Sequence, residues 1–188
     1  MNIVVLNGSI VGSNTKAVME KVVQMFHNAQ EDFTVTFLNL ADYDIQFSDG
    51  RNYFDYEGDT KFVAETIMKA DGIVIGTPVF QASIPGTLKN IFDLLPSDAF
   101  HGKVVSLVVT AGTSKHYLVA EQQLKPILSY MKAHILPNYV FVKEADIIRK
   151  EIINDDIIFR LERLIEDMFT MMEVYQEIKR KEEENYDF

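Results

Sequence analysis

The residues able to do chemistry in this chain are hydroxyls, amides and backbone donors gathered in three short loops. There is no cysteine, which excludes thiol catalysis, disulfides and Cys-based metal sites. The four histidines, His27, His101, His116 and His134, show no ligand spacing, so no metal is expected. No Gly-x-Ser-x-Gly elbow supports a hydrolase. Asp155 and Asp156 are adjacent and point in different directions on a helix, so they read as capping or solvated carboxylates.

The first loop, residues 8–15, offers Gly8, Ser9, Gly12, Ser13, Asn14 and Thr15 directly before a helical pattern. Unpaired N–H groups and the positive end of a helix suit a phosphate, and the hydroxyls add donors. It is not a Walker A loop, because the spacing is short and the lysine is missing. The plainer reading is a strand-to-helix turn with Ser13 or Asn14 as N-cap. The second loop, residues 77–86, holds Pro78, Val79, Phe80, Gln81, Ser83 and Pro85. Two prolines stiffen it, and it presents an apolar surface beside fixed amides, as a flat heterocycle requires. Its plainer reading is a stiff connection whose Phe80 caps the core. The third loop, residues 110–116, contains Gly112, Thr113 and Ser114. Gly112 permits close backbone approach, while the hydroxyls can donate or cap the next helix.

The elements that must carry these loops alternate. Apolar-rich runs at residues 2–6, 33–38, 72–76, 104–109 and 135–142 read as strands of a sheet covered on both faces. Between them lie helical periods, including one with Pro85 near its first turn. The stretch 117–133 also reads as helical, with Pro126 expected to kink or break it. From about Asn154, the spacing of Ile157, Leu161, Leu164, Met168, Met172 and Tyr175 marks a long amphipathic helix. Its stripe reads as packing or a subunit interface, and its charged end, residues 180–188, as a fraying tail. The pattern predicts an α/β, flavodoxin-like three-layer sandwich with a five-stranded parallel sheet of order 2-1-3-4-5. Ligands in such a fold bind beyond the carboxyl ends of the strands. The loops after strands one, three and four are therefore expected to form one site.

With 188 residues, 47% hydrophobic, and no linker or repeat, the chain is expected to be a single domain. The net charge of −10 repels nucleic-acid backbones and anionic membranes. A polar turn follows the first five residues, too early for a signal peptide or membrane span, and the absence of cysteine fits the cytoplasmic location that is expected.

The stretch 76–96, GTPVFQASIPGTLKNIFDLLP, closely resembles the NAD(P)H-dependent FMN reductases. The Gly8-Ser9 loop with Ser13-Asn14-Thr15 sits where their FMN-phosphate loop sits. Residues 110–133, TAGTSKHYLVAEQQLKPILSYMKA, look most like the reductases that supply reduced flavin to two-component alkanesulfonate monooxygenases. The resemblance covers roughly residues 2–142. It implies that FMN is the cofactor, with NADPH or NADH as co-substrate. It assigns the FMN phosphate to Ser9, Ser13, Asn14 and Thr15. The isoalloxazine falls against Pro78, Val79, Phe80, Gln81 and Ser83, with Gly112 and Thr113 closing the other side. It also implies a homodimer or homotetramer, through the helix containing residues 89–92 or the final helix. The acceptor of reduced flavin would be a partner monooxygenase, a quinone or an azo compound.

One departure stands out. Many members carry an arginine early in the first loop, where this chain has Val11 in a loop one residue shorter. This leaves open the tightness of FMN binding and the choice between NADPH and NADH. Lys16, Arg51 and Lys115 are the available cations for a nucleotide phosphate, each equally readable as a surface charge. A flavodoxin-type electron carrier is the alternative, although the first loop lacks the Thr/Ser-x-Thr-Gly-x-Thr pattern. A regulatory module with a vestigial site is the third reading.

Overall fold

A computed structural model describes residues 1–29 and 33–186; positions 187 and 188 of the expected tail lie outside the described residues. The apolar runs form the sheet. Strand β1 (Asn2–Asn7) pairs in parallel with β2 (Thr34–Asn39) on one side and β3 (Gly72–Pro78) on the other. Strand β4 (Val104–Ala111) lies parallel to β3. Its outer edge carries two short parallel strands, β5 (His134–Ile135) and β6 (Val140–Lys143). The order is β2-β1-β3-β4-β5, as the alternation predicts.

The expected fifth strand is thus split in two. Pro137 lies in the gap and has no N–H to give the ladder. Leu136 still donates to the Val105 carbonyl at 2.9 Å, and pairing resumes at Val140 opposite Val108.

Helices cover both faces, and the two-residue period of each strand decides which neighbour a side chain meets. Ile3, Val5, Val74 and Val108 pack against α1 (Asn14–Asn28) and α5 (Asp155–Tyr186), meeting Val18, Val22, Leu161 and Met168. Val4, Leu6, Ile75 and Val109 point the other way. They meet Val63 and Ile67 of α2 (Gly58–Met68), Leu88 and Ile91 of α3 (Gly86–Leu94), and Leu128 of α4 (Lys125–Tyr130). Each such burial contributes about 1.5–3 kcal/mol. Exposed helix pairs such as Lys69–Glu65 and Lys89–Asp93 contribute only about 0.3–0.5 kcal/mol, so the two apolar layers hold the fold. Gly76 lets α1 settle onto the sheet, since a Cβ there would collide with the Met19 thioether.

The stretch 117–133 is not one helix. A 3-10 turn at Ser114–His116 and a π-helical turn at Ala120–Leu124 precede α4. Pro126 occupies the first turn of α4, where its missing N–H is tolerated. It has no donor for the carbonyl four residues back, which is consistent with the widened turn before it. The final helix runs further than its charge pattern suggests, staying helical to Tyr186, with Arg180 and Lys181 paired to Glu177. Its apolar stripe is core, with Leu161 and Met168 fully buried. Among the described residues, no helix is long and apolar enough to cross a membrane.

Candidate active site

The first loop leaves β1 under tight control. Asn7 is buried and its amide donates to Asn39 Oδ1 at 2.7 Å and to the Ser9 carbonyl at 3.2 Å. Gly8 N–H donates to the Gly76 carbonyl at 2.8 Å, tying the loop to β3. The buried Ser9 hydroxyl donates to the Val11 carbonyl at 2.5 Å and accepts from Val11 N–H at 3.3 Å. Gly12, at φ 83°, takes the left-handed turn that brings the chain into α1. Ser13 stands at the N-cap position, yet its side chain makes no capping bond, and the first turn carries no acid. The N–H groups there have no intrahelical partners, so they and the Ser13 and Asn14 side chains are available to an anion. Thr15 faces inward and shares a 2.6 Å hydrogen bond with the Thr110 hydroxyl, which locks the first loop to the third.

The second loop is built for stiffness. Val79 N–H donates to the Thr110 carbonyl at 3.1 Å. Phe80 and Ser83 exchange backbone bonds of 2.9 and 3.0 Å, closing a two-residue turn at Gln81 (φ 49°) and Ala82 (φ 59°). Two positive φ values define a type I′-like turn, for which Asn-Gly is the favoured sequence. Holding residues other than glycine there costs about 1–2 kcal/mol each, and the result is a fixed Phe80, 39% exposed. The Ser83 hydroxyl donates to Gln123 Oε1 at 3.3 Å. In the third loop, the Thr113 hydroxyl accepts from Lys115 N–H at 3.2 Å and so caps the short turn that follows.

The three loops enclose one cleft of about 350 Å³, lined by residues 11–15, 78–80 and 110–112 together with Glu144 and Ile147. Ser13, Asn14, Thr15, Pro78, Val79, Phe80 and Gly112 are therefore brought together as the sequence predicts. Ser9, Gln81, Ser83 and Thr113 are not on the lining; their bonds shape the walls behind it. Glu144 and Ile147 were missed, although a signal existed. They follow β6, which is parallel to β4, so its carboxyl end opens on the same side of the sheet.

Buried Asp146 fixes that extra wall. It accepts from Lys143 N–H at 3.0 Å and from the Asn154 amide at 2.9 Å. Burial pushes its carboxyl up, but the bonds from Asn154 and Lys143, with the Lys143 charge, outweigh this and hold it below the ordinary carboxylate value. Two of the three candidate cations already have partners. Arg51 pairs with Asp49 and lies 4.7 Å over the Tyr56 ring, and Lys16 lies 3.9 Å from Glu20.

The donor set fits a phosphorylated planar ligand: an open helix N-terminus at one end, and Pro78, Val79 and Phe80 at the other. Fold and cleft together define a flavodoxin-like nucleotide-binding protein. The model of the NADPH-dependent FMN reductases matches residues 1–146, and the chain belongs to that family. It is a flavoprotein oxidoreductase that uses FMN and NAD(P)H. An NAD(P)H-dependent FAD/FMN reductase of Geobacillus thermodenitrificans (strain NG80-2) is 41% identical over 141 residues, 75% of this chain and 76% of the relative. The NADH-dependent FMN reductase SfnF of Pseudomonas putida is 23% identical over 175 residues, 93% and 94% of the two chains. Among solved structures, apo NADH:FMN oxidoreductase (EMOB) superposes with a TM-score of 0.75 at 24% identity, covering 89% of this chain and 87% of that one. That likeness carries the fold.

Proposed function

We propose that the cleft is where FMN meets the reduced nicotinamide, and that the described chain works as one FMN-binding unit. The observation that carries this is the uncapped N-terminus of α1 opening into the same cleft as Pro78, Val79 and Phe80. The first-turn N–H groups of α1, with the side chains of Ser13 and Asn14, bind the phosphate. Thr15 holds that turn against Thr110. Pro78, Val79 and Phe80 provide the surface for the ring, and Gly112 keeps the opposite wall thin. Gln81 and Ser83 set the angle of Phe80 through their turn, while Ser9 and Thr113 shape the first and third loops.

FMN, when bound, accepts hydride from the reduced nicotinamide, so no side-chain acid or base is required for the transfer. The protein's task is to bring the two rings within about 3–3.5 Å and to exclude alternatives. The acceptor served by this chemistry would be a partner monooxygenase in the cytoplasm, a quinone or an azo compound. A second copy of the chain is the proposed neighbour at α3 or α5.

Steady-state NADPH and NADH oxidation by the purified protein, with and without added FMN, tests the reading. Turnover dependent on free FMN is the expected result. A protein that binds FMN but oxidises neither nucleotide is an electron carrier instead.

A further inference from the structure

The first loop is held in part from a strand that does not reach the cleft. Gly8 is fixed from the β3 side: its N–H donates to the Gly76 carbonyl at 2.8 Å, and its carbonyl accepts from the Thr87 hydroxyl at 3.2 Å. The next carbonyl, that of Ser9, accepts instead from the Asn7 amide at 3.2 Å. The same amide nitrogen donates to Asn39 Oδ1 at 2.7 Å. Asn39 ends β2, opposite Asn7 in the parallel register, and is not part of the cleft lining. An amide is planar, and its two N–H directions are fixed relative to each other. Anchoring one on Asn39 therefore aims the other at Ser9. The reversed Asn7 amide would set oxygen against oxygen at both ends.

The pair does more than fill space. Asn39 stands at the N-cap of the 3-10 turn Leu40–Asp42, where an asparagine side chain ordinarily bonds the turn's own N–H groups. It makes no capping bond and turns to Asn7. Both asparagines are buried, and among the described residues Asn7 Oδ1 and Asn39 Nδ2 have no hydrogen-bond partner. Burying half-satisfied amides costs stability that an apolar pair of the same size would keep. Beyond Ser9 the line of bonds continues. The Ser9 hydroxyl bonds Val11 N–H and carbonyl, and Gly12 turns the chain into the uncapped N-terminus of α1.

We propose that Asn39 is a positioning residue for the phosphate end of the cleft: through Asn7 it sets the Ser9 carbonyl, and with it the path by which the first loop presents the N–H groups of α1. Asn39 itself touches no ligand. The inference rests on that helix N-terminus being the FMN-phosphate site. Its signature is selective, because riboflavin carries the ring without the phosphate. A displaced first loop weakens FMN and leaves riboflavin as it was.

Titration of FMN and of riboflavin, followed by quenching of flavin emission, tests this in Asn39→Leu. FMN is expected to weaken by about 2- to 10-fold, the worth of one ordinary hydrogen bond, with riboflavin unchanged. In steady state the same variant should raise KM for FMN and keep kcat. Asn7→Leu should show the same selective loss, and the double variant no more than Asn7→Leu alone, because Asn39 acts through Asn7. Asn39→Ala, which needs no added space, gives the same comparison where the leucine variant does not fold. Equal weakening of both flavins, or of neither, overturns the proposal, and so does a double variant in which the two losses add. Wild-type protein that binds riboflavin as tightly as FMN defeats the phosphate-site reading itself, which separates that failure from failure of the Asn39–Asn7 relay.

Discussion

The first and second loops face one another across the cleft, yet they are made rigid by opposite means. The first is braced by polar groups turned inward, the Ser9 hydroxyl onto Val11 and the Thr15 hydroxyl onto Thr110. It leaves its helix N-terminus without a side-chain cap. The second has few side-chain bonds and relies on covalent stiffness, with Pro78 and Pro85 around a turn that forces Gln81 and Ala82 to positive φ. One loop forgoes a local hydrogen bond to keep donors open; the other carries backbone strain to keep a ring fixed. Each gives up stability in the currency its task requires.

Substitutions can sharpen or break that contrast. The largest effect on turnover is expected from Phe80→Ala, which should lower kcat/KM for NADPH by about 10- to 100-fold through lost positioning. Thermal unfolding should barely move, because Phe80 is 39% exposed; a large loss of Tm with normal turnover would make Phe80 a core residue. Next, Ser13→Ala or Asn14→Ala should weaken FMN binding by about 1.5–3 kcal/mol each, as loss of a bond to a charged group does, with urea midpoints unchanged. Unaltered titrations in both variants would remove phosphate from the first loop. Thr15→Val should act on stability instead, by about 1–3 kcal/mol in urea unfolding, since the Thr110 hydroxyl is left buried and unpaired. The smallest effect is Ala82→Gly. Relief of left-handed strain should stabilise the fold by roughly 0.5 kcal/mol, and unchanged stability would show that the turn carries no strain.

The sheet was readable because its signal is local. Five apolar runs separated by helical periods leave few topologies, and the observed order follows. Loops one to three were readable for the same reason, since each adjoins an obvious strand end. Glu144 and Ile147 carry a fainter signal: they follow the carboxyl end of the strand expected at residues 135–142, but neither residue type is a characteristic phosphate or ring ligand. Nor does a sequence reveal which hydroxyl turns inward. Ser9 and Ser13 both look like phosphate ligands, and only the chain path shows Ser9 bonded to Val11 while Ser13 makes no cap bond. The turn at Gln81 and Ala82 was equally hidden, because neither residue type favours a left-handed conformation.

The divided strand beside β4 has a further consequence. Parallel sheets tend to offer their outer strand as a template for an incoming chain, and proteins blunt such edges by shortening them or inserting proline. Here the edge consists of two residues, a gap containing Pro137, and four residues more. A foreign strand laid along it would find no long, continuous row of donors and acceptors. The break that divides the fifth strand thus also guards this side of the sheet against edge-to-edge pairing.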